Sequence, residues 1–438
     1  MNLFIRRIVY TFFIILFLLI APLVVLYTMG YRYNFAVGRI QKTGMMKITS
    51  IPKEAEIYLN GIKYEKSLTP AKIEHLLPGD YEIKLSKENY YDWQKKLAVY
   101  ENGTTFAEKV ILWKKDQPEK IDFPATIWST SPDGNKIAFS QNNLIKILNI
   151  NSGLIGELEG GEIIKLIELP KGSKVNKIDF SSNSKIILIN SEVSGKEQYW
   201  LYSLDWSEPL KLPTNFIGIK FNQSNNEIYG FNHSEIFLIN SQNLLTKKIW
   251  SGGKNLTDIL VDGNKIYLID GKTLKILDIS KNFIINLEEV TSDNYHLAKI
   301  ITSNLLLINN TKKTMSIVDL TRRNKTLTLE AKAIDILNDH SIMFYNDWEI
   351  FIYDFNKKDP ELITRMGEMI LAASWHPKGR HLFFSTQQAI KVIELDNREL
   401  RNIIDITQDK NVSNLRFNRF GNILYFNSEA GVKKIKLQ

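Results

Sequence analysis

Three patterns of hydrophobic and polar positions divide this chain. The first is unbroken. From Ile8 to Met29 no residue is charged, and Phe12-Phe13-Ile14-Ile15-Leu16-Phe17-Leu18-Leu19-Ile20 continues through Pro22 to Leu26. About twenty such residues match the hydrocarbon core of a bilayer as one helix. Length and uninterrupted apolarity exclude the competing reading, a buried soluble helix. The second pattern is period-two alternation in short pieces between Gly44 and Trp113, which predicts strands. The third is a unit that returns along the rest of the chain, seen most clearly in Ile127-Trp128-Ser129-Thr130-Ser131-Pro132-Asp133-Gly134-Asn135-Lys136-Ile137-Ala138-Phe139-Ser140. Two strands flank a Pro-Asp-Gly reversal, and Ile145 to Ile150 supplies a third.

The span divides the charges about it evenly. Arg6 and Arg7 precede it; Arg32, Arg39 and Lys42 follow. Local charge counting therefore gives no orientation, but long domains translocate largely regardless of charge, and a short basic start before an apolar run behaves like a signal sequence. The N-terminus is expected in the cytoplasm and everything after Gly30 outside, on an uncleaved anchor, since no small-residue cleavage pattern follows the apolar run. Tyr10, Tyr27, Tyr31 and Tyr33 sit at headgroup level. Residues 1–30 are thus read as tail and transmembrane helix, with the lipid bilayer contacted through residues 8–29, and residues 31–43, which lack sustained periodicity, as a linker.

Residues 44–114 predict a small β unit. Met45-Met46-Lys47-Ile48 is ambiguous between helix and strand. Glu56 to Leu59 and Ile62 to Tyr64 flank Asn60-Gly61, the dipeptide that best accepts the two positive φ angles of a two-residue hairpin turn. Leu77-Pro78-Gly79-Asp80 turns into the alternating Tyr81 to Leu85, and Lys96 to Val99 with Lys109 to Leu112 completes a small sheet around Glu101-Asn102-Gly103. On Ser50, Pro52, Ala55, Asn60-Gly61, Thr69-Pro70, Leu77-Pro78-Gly79-Asp80-Tyr81 and Tyr90, this stretch resembles the PEGA domain, a small β module of microbial envelope proteins. It departs from that family's pattern at Lys53-Glu54, where the family has Glu-Gly, and at Asn89, where a Gly usually precedes the aromatic. The resemblance implies a surface-exposed adhesion or interaction module and carries no catalytic residues.

Residues 115–438 follow the polar, proline-closed boundary Lys114 to Pro118. Strand clusters open near Thr126, Lys174, Asn215, Asn255, Tyr295, Lys332, Glu368 and Asn411, about eight repeats at a spacing near forty, which predicts a β-propeller of four-stranded blades. The first turns align: Phe180-Ser181-Ser182-Asn183-Ser184, Phe221-Asn222-Gln223-Ser224, Trp375-His376-Pro377-Lys378-Gly379 and Phe417-Asn418-Arg419-Phe420-Gly421. With Ser131-Pro132-Asp133-Gly134, they resemble the repeats of TolB-type and related WD-like propellers. Seven blades is the alternative, because Gly153 to Lys171 is long and irregular. The last repeat has room for only about three strands, so Lys120-Ile121-Asp122-Phe123 is expected to close the ring.

Composition narrows the chemistry. The chain of 438 residues has no cysteine, which excludes disulfides and thiolate metal sites. Its net charge of +8 is spread over singly placed Lys and Arg, a solvated surface with mild attraction for anionic membranes or wall polymers and not a nucleic-acid footprint. No Gly-x-Ser-x-Gly elbow occurs, and Gly271-Lys272-Thr273 falls between two strands, so it reads as a blade turn and not a phosphate loop. His376 and His381 are the closely spaced histidines, but Lys378 and Arg380 between them oppose a metal, so a structural or solvent-facing role is expected. Tyr90, Tyr91 and Trp93 are the candidate binding residues, since aromatic rings stack on sugar faces and dominate protein hot spots; the alternative is that they form the module's core. Strand alternation would put Tyr91 and Trp93 on one face and Tyr90 on the other.

The resulting expectation is a mainly β chain: transmembrane helix, PEGA-like module and propeller. It would act without catalysis, cofactor or metal as a membrane-anchored envelope scaffold that recognises an envelope protein or cell-wall glycan, and no nucleic acid. The competing reading is a propeller-based glycan hydrolase or lyase with carboxylates at the central channel. A signalling role would need a membrane partner, because only about seven residues precede the span.

Overall fold

Apolar alternation becomes paired strands throughout a computed structural model that describes residues 3–35, 37–150, 161–281, 283–289, 295–338 and 340–438. Of the irregular stretch Gly153 to Lys171, residues 153–160 lie outside the described residues, while Glu162–Glu168 is a strand. The helix α1, Leu3–Thr28, buries no side chain. Among the described residues it is the one helix long and apolar enough to cross a membrane. The chain divides into two compact units, Met1–Asp116 with Asp396–Ile404 and Gln438, and Gln117–Leu395 with Asp405–Leu437.

In unit 1, the stretch expected to be a linker is instead a hairpin, Tyr31–Asn34 paired with Arg39–Lys42. Its support is tertiary, which local periodicity does not register. Asn34 Nδ2 donates to Gln41 Oε1 at 2.6 Å, and Gln41 Nε2 to Glu101 Oε1 at 3.1 Å. The PEGA-like residues form two sheets where one was expected. The ambiguous Met45–Ile48 run lies in the strand Gly44–Ile51, which sits between Ala71–Leu76 and the parallel Thr104–Ile111. The other sheet runs in the order Ile62–Lys63, Glu56–Leu59, Gly79–Ser86, Trp93–Val99. Asn60 and Gly61 take φ of 49° and 80°, the double positive angle that lets Leu59 face Ile62 across a tight turn. Met46, Ile48, Ile57, Ile73, Ile83, Leu85, Trp93 and Leu97 from the two sheets share one buried cluster. At about 1.5–3 kcal/mol per large buried side chain, this cluster is the main stabilising term of the module. Glu54 and Asn89, the two departures from the family pattern, hold φ of 63° and 65°, the left-handed region where glycine is easiest.

The edge strand Trp93–Val99 is covered within unit 1 by Asp396–Ile404. Lys95, with no exposed side-chain surface, donates from Nζ to Asp396 O at 2.8 Å, and Asn402 Nδ2 donates to Gln94 O at 2.8 Å. A segment lying along the edge in this way takes up part of the ladder that another chain could otherwise join.

Unit 2 is a ring of sheets. The described residues from Glu119 to Lys436 form eight four-stranded sheets. We number them from sheet 1, which opens with Ile127–Thr130, through those opening at Ser173–Phe180, Gly218–Phe221, Leu256–Asp262, Tyr295–Ile301, Ala333–Asn338 and Ala372–Trp375, to sheet 8, which opens with Asn414–Phe417. Sheets 1 to 7 pack each on the next through a buried cluster, as with Ile147 and Ile167 against Ile187 and Ile189, or Met343 and Tyr345 against Trp375 and Leu382, and Phe383 of sheet 7 meets Phe417 of sheet 8 ring to ring at 4.9 Å. Ile137, Phe139 and Leu148 of sheet 1 pack against Ile423, Tyr425 and Val432 of sheet 8, which closes the circle. The fourth strand of sheet 8 is Glu119–Asp122, antiparallel to Gly431–Lys436, as the room left in the last repeat led us to expect.

The repeated first turn has one design. Ser131, Ser181, Asn222, His376 and Asn418 are buried, and each donates its main-chain N–H to the carbonyl of the residue five positions on, from Ser131 N to Lys136 O through Asn418 N to Ile423 O. Their side chains hold the same turn: Lys136 N donates to Ser131 Oγ at 2.9 Å, Ile186 N to Ser181 Oγ at 3.0 Å and Ile423 N to Asn418 Oδ1 at 3.2 Å.

Candidate binding site

Of the three predicted contact residues, Trp93 is buried in the core of the PEGA-like module and Tyr90 packs against that core. Tyr91 is half-buried, donates its N–H to Trp113 O at 2.8 Å and has the Lys115 ammonium 5.4 Å from its ring centre. Simple alternation fails here because the strand begins only at Trp93. Tyr90 forms an isolated bridge with Lys114, and Tyr91 lies in the irregular step between that bridge and the strand, where successive side chains do not alternate.

His376 occupies the turn position that Ser or Asn fills in sheets 1, 2, 3 and 8. Its Nε2 lies 2.9 Å from Gly421 O, and Nδ1 accepts from Lys378 N at 3.4 Å, the pattern of a neutral imidazole that donates from Nε2. Burial pushes its pKa down to about 4, further than the Gly421 carbonyl raises it. The His381 ring stands 6.3 Å away, edge-on. No group of three metal-ligating side chains occurs among the described residues. Gly271 and Lys272 turn between Lys265–Asp270 and Thr273–Asp278, with Asp270 facing Thr273, a plain hairpin.

The first strands carry the unit's concentrated polar chemistry. Successive first strands touch within sheets 1 and 2, 3 to 5 and 6 to 8. Asp258, nearly buried in sheet 4, is held by Lys220 Nζ of sheet 3 at 2.8 Å and accepts from Leu297 N of sheet 5 at 2.8 Å. His296 beside it has its pKa lowered, chiefly by burial, with the Asp258 charge opposing and Lys220 and Lys177 adding to the shift. Asp335 repeats the device two sheets on, accepting from Ser374 Oγ and Trp375 N at 2.9 Å each. These carboxylates act as inter-sheet ties, with their lone pairs directed at fixed donors.

Beyond Asp335 a cavity of about 250 Å3 opens, lined by Ser374, Trp375, Pro377, Arg416, Arg419 and the Gly134 turn, among others. Two of its residues are donors in excess. Arg416 is half-buried with no partner for its guanidinium among the described residues, and the Trp375 indole Nε1 is buried without an acceptor. The indole Nε1 is closed off from the cavity, so the half-buried Arg416 guanidinium is the donor on this wall that an acceptor-bearing group can meet. Sequence reading missed this set because Asp335, Trp375 and Arg416 stand on three sheets. The available signal was a lone Arg between the apolar Leu415 and Phe417 of a first strand.

Comparison with known proteins agrees with both units. Residues 43–111 match the PEGA domain family model. Among solved structures, the crystal structure of the C-terminal WD40 domain of Sif2 superimposes with a TM-score of 0.52 at 13% identity, covering 73% of this chain and 98% of that one. At that identity the likeness shows the fold alone: the chain carries a PEGA domain and a WD40-like β-propeller. A search of curated proteins finds no match.

Proposed function

We propose that the protein is a non-catalytic, membrane-anchored scaffold of the cell envelope whose propeller recognises a protein or glycan partner. The helix α1 holds it in the cytoplasmic membrane, with the N-terminus inside and both β units outside. The observation that carries this reading is the cavity walled by the unpaired Arg416 guanidinium, which suits an acceptor-bearing group such as a carboxylate or a sugar. The reading is preferred over a hydrolase because Asp258 and Asp335 are each held by donors of neighbouring sheets, where a glycosidase needs two carboxylates free to face one bond. Tyr91 of the PEGA domain is proposed as a second contact, with Tyr90 and Trp93 supporting it from the core.

Purified cell-wall polysaccharide, titrated against the full chain in detergent across a salt series, tests the recognition. Saturable, salt-resistant binding that Arg416→Ala weakens at least tenfold would support a glycan partner. Salt-resistant binding untouched by Arg416→Ala would remove the cavity from the proposal, and binding abolished by modest salt would reduce it to surface charge. Protease accessibility of a tag after Gln438 in intact cells tests the sidedness; protection there would overturn it.

A further inference from the structure

The hairpin after α1 is built inside out. Tyr33 and Ile40 face each other across its two strands and are 50% and 52% exposed, and Phe35 and Val37 toward its tip are 89% and 56% exposed. The opposite face holds Asn34 and Gln41, which are 8% and 7% exposed and are bonded to each other and on to Glu101. A hairpin made for water would reverse this order, with rings inward and amides outward. Tyr33 and Phe35 also stack edge to face at 4.9 Å, a preformed aromatic pair with nothing over it among the described residues.

The position of the hairpin is fixed. Only Met29 and Gly30 separate the end of α1 from Tyr31. Thr43 returns to Gly30 O through its N–H at 2.9 Å and its hydroxyl at 2.7 Å. Arg32 donates to Tyr27 O at 2.7 Å, and its guanidinium lies 3.6 Å from the Tyr27 ring centre. These bonds cap the helix C-terminus and tie the hairpin to it. The hairpin's own charges have one sign: Arg32, Arg39 and Lys42 lie in it, no Asp or Glu occurs before Glu54, and Glu101 meets it on the Gln41 face, away from Tyr33 and Ile40.

We propose that this hairpin lies in the headgroup layer of the bilayer, with Tyr33, Phe35, Val37 and Ile40 inserted at the level of the upper acyl chains and Arg39 and Lys42 on lipid phosphates. Aromatic and basic side chains favour that layer, and an amphipathic element at a helix exit gains burial with little further loss of freedom. The inference rests on α1 spanning the membrane, and it adds a second, planar contact that sets how the PEGA domain stands on the surface.

The absence of cysteine allows single nitroxide labels in the full chain. Labels at Phe17→Cys in α1, at Phe35→Cys and at Leu245→Cys, which is exposed in the propeller, are placed in protein reconstituted into phosphatidylcholine–phosphatidylglycerol vesicles. Collision with dissolved oxygen against a water-soluble nickel chelate reads depth. The expected order is Phe17 deepest, Phe35 just below the phosphates and Leu245 in water. A deep Phe17 with Phe35 in water would overturn the hairpin proposal and leave the span intact. Phe17 in water would overturn the span and the proposal with it. Phe35 shielded from both reagents would mean that protein, a second copy included, covers the hairpin, which also overturns it.

Discussion

His376 stands where four sibling turns use Ser or Asn, and the substitution has a pH signature. In the unfolded chain its pKa is that of ordinary histidine, about 6.5, whereas burial holds it at about 4 in the fold. Between these values the unfolded state takes a proton that the folded state refuses. Its contribution is therefore complete above the unfolded value and is lost as pH falls toward the folded one, at up to about 1.4 kcal/mol per pH unit. His376→Asn, which restores the residue found at Asn222 and Asn418, should fold and flatten that part of the stability profile; denaturant unfolding on both sides of the window measures it. Glu54 is a second residue held in a costly state. It keeps a φ of 63° with its N–H donated to Thr69 O at 2.7 Å. Glu54→Gly should stabilise the PEGA domain by about 1 kcal/mol, read from the shift in its unfolding midpoint, because the left-handed penalty of a β-carbon disappears.

Among the elements, the PEGA sandwich decides what its aromatics do. Trp93→Ala removes a ring from the shared core and should cost about 3–5 kcal/mol of stability, whereas Tyr91→Ala should cost under about 1 kcal/mol. Thermal unfolding separates the two. A ligand defect in the Trp93 variant would then have to be read together with that loss of stability. Elements whose cause is local were legible in the sequence: Asn60-Gly61 announced its hairpin, the Pro-Asp-Gly reversal announced the repeat, and the uncharged run announced α1. The hairpin at Tyr31 was not, because its polar pair is satisfied by Glu101, sixty residues along. The Arg416 cavity was not legible either, since a lone cation between apolar neighbours has no meaning until the adjoining sheets stand beside it.

At the scale of the whole molecule, the propeller depends on one seam. Gly431 takes a φ of 124°, and a β-carbon there would collide with the main-chain oxygen of Asp122 on the closing strand. Gly431→Ala should therefore push Glu119–Asp122 off sheet 8 and lower the stability of the propeller by about 2–3 kcal/mol. Faster proteolytic cleavage near Lys120 under native conditions is the expected readout, with the PEGA domain unaffected.

That seam also sets a clock. Ala125 and Asn427, which exchange two hydrogen bonds beside it, are separated by 302 residues. At about 5–20 residues per second of synthesis, the first half of the seam waits on the order of 15–60 s for the second. Throughout that interval sheets form one after another while the end of the array stays open, with Glu119–Asp122 unpaired and available to any other extended chain. The open end therefore persists until the chain's last strands arrive and closes only when Gly431–Lys436 pairs with Glu119–Asp122. A factor that shields that end would be needed for the whole of the wait, up to the arrival of the last strand.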